Sequence, residues 1–143
     1  MECASFIIAS LAFLLSLIAF VKSNAAAKTA NDLTKGQVEM QIREMITSAK
    51  TRCADLGIQL SGDLNNETIK LSIVAALEDV MNAYEEACGK YNDNKVDKER
   101  FKKSYMVEIR NIVEDENTSS KYQMPQSKFQ ATVKVYNEWN NIE

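Results

Sequence analysis

Hydrophobic positions divide the chain into regions of different period. From Cys3 to Val21 no residue is charged and apolar side chains fall on every face of a helix. At 1.5 Å per residue this segment makes a helix about 28 Å long, close to the hydrocarbon thickness of a bilayer. A core helix of that length is seldom apolar all round.

Farther on, Val38, Ile42, Met45, Ala49 and Leu56 follow a heptad-like stripe, with Cys53 beside it. Ile73, Val74, Leu77, Val80, Met81, Tyr84, Ala87 and Cys88 make a broad apolar face on a helix running to about Tyr91. A third helix carries Phe101, Tyr105, Ile109 and Ile112, with Val113 at the margin of the stripe, after the turn "YNDNKVDKER", where Asp97 is placed to cap it. Helices joined by so short a link are expected to lie antiparallel.

The last element reads two ways. Phe129, Ala131, Val133 and Val135 alternate with polar residues, as in a strand. Phe129, Val133, Tyr136 and Trp139 also make a helical stripe. No second strand is evident to satisfy its backbone, so a helix is expected. A polar loop from about Glu114 precedes it, with a small excursion at Tyr122–Met124.

The expected fold is therefore all-α. An N-terminal transmembrane helix (1–22) leads into an amphipathic membrane-proximal segment (23–60) and a small antiparallel helical bundle (61–143). Gly36 costs roughly 1 kcal/mol against alanine in a helix. A break near Asn31–Gly36 is expected, the alternative being one unbroken stalk.

Composition supports helices. Among 143 residues there are four glycines and one proline, Pro125. An all-β fold needs turn residues far more often.

The N-terminal run is distinguished from a cleavable signal by its acidic start, its length and the lysine directly after it. Lys22, Lys28 and Lys35 follow the run, and no lysine or arginine precedes it. Positive flanks stay in the cytoplasm, which puts the N-terminus outside and the C-terminal domain inside. The same lysines are candidates for contact with anionic lipid. The expected location is a bacterial inner membrane, single-pass, with the lipid bilayer as first partner.

Within the run, Ser5, Ala9, Ala12, Ser16 and Ala19 are spaced four, three, four and three apart. Small residues in register let helices approach closely in lipid, so a homo-oligomer or a partner's transmembrane helix is expected there. The bland alternative is the chance register of residues common in spanning helices.

Catalytic chemistry finds little purchase. There is no histidine, which excludes serine–histidine and cysteine–histidine pairs within the chain. Cys3, Cys53 and Cys88 form no metal or redox motif. Cys53 and Cys88 read as buried thiols, with a disulfide between them as the alternative. The loop after Asp93 lacks the central glycine and terminal glutamate of a calcium site. No glycine-rich phosphate loop is present. No cofactor, metal or small-molecule substrate is expected.

The net charge of −3 argues against a general attraction to nucleic acid. The cluster Lys95, Lys98, Arg100, Lys102 and Lys103 is interleaved with Asp97 and Glu99, as on a solvated face.

The stretches "KGQVEMQIREMITSA", "AYEEACGKYNDNKVDKERFKKSYMVEIRNIVE" and "VYNEW", after one spanning segment, resemble a group of uncharacterised, membrane-anchored helical proteins of bacteria. The resemblance implies an N-terminal anchor and an all-helical cytoplasmic part, with no known reaction. A non-enzymatic interaction or scaffold module at the membrane is the expected function. The alternative is a membrane-acting effector or small channel component assembled through the spanning helix.

Overall fold

The computed structural model describes residues 2–62, 65–123 and 125–140, with side chains in the first helix described at 13 and from 15 onward. Four α-helices follow one another: α1 (Glu2–Gly62), α2 (Glu67–Asn92), α3 (Lys98–Glu114) and α4 (Gln130–Asn140). A 3-10 turn, Ser119–Tyr122, precedes α4. No strand occurs among the described residues, and the final element is the helix that its Phe129–Trp139 stripe predicts.

The expected break at Asn31–Gly36 is absent. α1 is continuous through Gly36, whose missing side chain leaves open space. A penalty of about 1 kcal/mol weakens a helix without ending one that continues on both sides. The polar stretch before it is also accommodated. Thr29 and Thr34 turn their hydroxyls back to the carbonyls of Ala25 (3.0 Å) and Ala30 (2.9 Å).

The chain divides into two compact units, one up to Lys35 and one from Gly36 on. In the first, every described side chain from Leu15 to Thr34 is exposed. Among the described residues no helix is long and apolar enough to cross a membrane. The expected transmembrane helix is thus not supported by the structure. The described part of the apolar run, residue 13 and residues 15–21, is too short to span. Ser5, Ala9 and Ala12 lie outside the described side chains.

The second unit is a four-helix bundle whose directions follow from its cross-contacts. Tyr91 meets Phe101, and Tyr84 meets Glu108 one to two turns away, so α2 and α3 are antiparallel as expected. Arg110 donates to Asn140 and Tyr136 to Glu114, so α3 and α4 are antiparallel too. α1 enters along α3, with Glu39 by Arg100 and Lys50 by Glu108.

Local chemistry sets the helix ends. The Asn66 side chain accepts from Ile69 N at 3.1 Å to open α2. Asp97 accepts from Arg100 N at 2.9 Å to open α3, as its sequence position predicts. Between them Asn94 adopts a left-handed conformation, φ 57°, which asparagine tolerates better than most residues.

Two hydrophobic clusters fill the bundle. The larger joins Ile42 and Ile46 of α1 to Tyr84, Cys88, Phe101 and Trp139. The smaller unites Met81, Tyr122, Phe129 and Val133. Cys53 and Cys88 are both free thiols, so the alternative disulfide does not form. Burial pushes the Cys88 thiol up to about 12, against a weaker opposing hydrogen bond with Thr132. Cys88 should therefore stay unmodified by a thiol reagent in the folded protein and react once urea unfolds it. Mass spectrometry would read this, and labelling of Cys88 as fast as Cys53 under native conditions would refute its burial.

Tyr122 supplies a second check. It is buried, yet its hydroxyl has no hydrogen-bond partner. Burial also raises its pKa. Leaving a buried hydroxyl unpaired costs about 1–3 kcal/mol, so Tyr122→Phe should leave the melting temperature unchanged or raise it. A lowered melting temperature would reveal a bond that the hydroxyl makes in solution.

Candidate functional site

α2 does not bury the whole of its apolar face. Its N-terminal turns run past the start of α4: Glu85 lies beside the first turn of α4, and Met81 beside Tyr122. The turns before Leu77 therefore lack cover on that side. Val74 is 65% exposed, and Ile73 and Leu77 are half-buried. The sequence places all three in the core with Val80, Met81, Tyr84, Ala87 and Cys88; the structure buries those five, packs Leu77 partly against the Met81 cluster, and leaves Val74 exposed.

These residues floor an open groove of about 780 Å³ between α2 and α3. Ile112 of α3 closes the floor, Lys50 of α1 stands at one edge, and Asn117 and Lys121 stand at the other. Thr118 pins that far edge, its hydroxyl donating to the Ile112 carbonyl at 2.5 Å.

Most charged groups of the groove have a polar partner. Glu108 accepts from the Tyr84 hydroxyl and lies 3.4 Å from the Lys50 ammonium. Burial first, and then Glu108, raises the Tyr84 pKa, which keeps that hydroxyl a donor. Glu78 at the rim is bonded by Lys128, whose proximity lowers its pKa. Asp115 accepts from the backbone N–H and side chain of Asn117. Such an arrangement offers apolar contact area framed by satisfied polar groups, which suits binding. Among the described residues, no three cysteine, aspartate or glutamate side chains converge to hold a metal.

The residues singled out from sequence lie elsewhere, on α1. Ser16, Ala19, Lys22 and Lys28 are exposed, and Lys35 is half-buried. None of them lines the groove. Around them Phe13, Leu15, Leu17, Ile18, Phe20 and Val21 are each between 51% and 68% exposed. At 100° per residue these six spread over about 220° of the helix, and the small residues Ser16 and Ala19 fall in the remaining arc.

Sequence reasoning also missed two carboxylates that lock helices together. Glu39 of α1 accepts from the backbone N–H of Asp97 at 2.8 Å and from Arg100 at 3.1 Å. Glu85 of α2 accepts from the N–H groups of Ala131 and Thr132 at 2.8 and 2.9 Å. Neither lies near its partner in the chain, and no local signal marks them.

Comparison with known proteins finds no matching family model, no matching curated protein and no matching solved structure.

Proposed function

We propose that this protein is a membrane-tethered helical interaction module at the cytoplasmic face of a bacterial membrane. In this reading the N-terminal segment is the tether, with the N-terminus outside. The bundle is the working part and has no catalysis of its own.

The observation that carries the reading is the exposure of the large apolar side chains of Phe13, Leu15, Leu17, Ile18, Phe20 and Val21. Each large apolar side chain left in water forgoes roughly 1.5–3 kcal/mol, and none of the described residues covers these. A helix apolar on every face is accounted for by lipid or by a protein interior. The stretch from Cys3 to Phe13 is also uncharged, which brings the run to spanning length in sequence. Lys22, Lys28 and Lys35 at its inner end support the orientation. The groove at Ile73, Val74 and Leu77 is the surface of the bundle open to a partner.

The test is direct. In bacterial cells the full chain should stay in the membrane pellet after alkaline extraction. Deleting residues 2–21 should release it. A cytoplasmic reporter fused after Glu143 should be active. Release of the full chain by alkali, or activity of a periplasmic reporter instead, would overturn the reading. For the groove, a photocrosslinker at Val74 should trap a partner in native membranes, and the exposed change Leu71→Lys beside it should reduce the yield.

A further inference from the structure

No further inference is drawn: the strongest candidate, the apolar groove between α2 and α3 floored by Ile73, Leu77 and Ile112, belongs to the site already described, and nothing in the structure shows what covers it.

Discussion

Replacing Phe101 with alanine is expected to destabilise the bundle by about 3–5 kcal/mol, the usual range for a large aromatic removed from a core. Phe101 is 2% exposed and sits where three helices meet. Its ring centroid lies 5.4 Å from Tyr91 of α2, 4.9 Å from Tyr105 of α3 and 6.2 Å from Trp139 of α4. Deleting it removes apolar area from all three contacts and leaves a cavity that the helices cannot close without moving one another.

Domains of this kind hold only about 5–15 kcal/mol in total. The melting temperature should therefore fall by more than about 12 °C. Trp139 is the only tryptophan, so its fluorescence reports the same cluster. Val107→Ala on α3 is the control. Val107 is 68% exposed, and its truncation should change stability by no more than about 0.5 kcal/mol. Equal melting temperatures for the Phe101 and Val107 variants would disprove the placement of the core.

What the sequence reveals and what it hides separate along physical lines. Helix identity is local, and it was legible. The Asp97 cap needs only a carboxylate three residues before a waiting N–H, and the structure has it at 2.9 Å. The double periodicity of the last element also has a physical source. α4 buries Val135 and Trp139 in the larger cluster and Val133 in the smaller one, with Phe129 just before it. A helix that packs on two sides acquires an alternating look without being a strand.

Extent is less legible. An apolar stripe tells which face of α2 seeks cover, but not how far its neighbours reach. Val74 therefore reads as core when it lines an open groove, while Leu77 both lines the groove and packs on the smaller cluster. Gly36 misleads in the opposite direction, because a local propensity penalty is small beside the cooperativity of a helix extending both ways. Ile46, buried at 3%, was missed on α1, because a heptad count passes from Met45 to Ala49. The groove itself was not legible at all, since it depends on where helices from distant parts of the chain stop.

The second large effect is expected at Glu85, and it concerns how α4 begins. α4 has 11 residues, too few to persist as a helix by its own propensity. Its first-turn N–H groups have no partners within the helix. Phe129 occupies the position before it and has no side-chain oxygen to offer. The Ser127 hydroxyl accepts from the N–H of Phe129 at 3.0 Å and donates to the Lys121 carbonyl at 2.7 Å.

Glu85 reaches across from α2 instead. One oxygen takes the Ala131 N–H, and the other takes the Thr132 N–H and hydroxyl, both at 2.9 Å. The carboxylate thus satisfies three donors and sets a negative charge at the positive end of the helix. Glu85→Ala strips all three and should cost about 2–4 kcal/mol. Glu85→Gln keeps one acceptor oxygen but loses the charge, so it should fall between alanine and the native residue.

Hydrogen exchange distinguishes this from a general loss of packing. α4 should exchange faster in the alanine variant while α2 and α3 keep their protection. The Trp139 emission should shift as α4 loosens. Unchanged protection of α4 in Glu85→Ala would mean that its packing alone starts the helix. Uniform loss across the bundle would mean that α4 is no separate element but part of one cooperative unit. The contacts between Tyr91 and the α4 residues Glu138 (2.7 Å) and Trp139 (3.1 Å) hold the far end of α4, so fraying should begin at Gln130 and stop before Trp139.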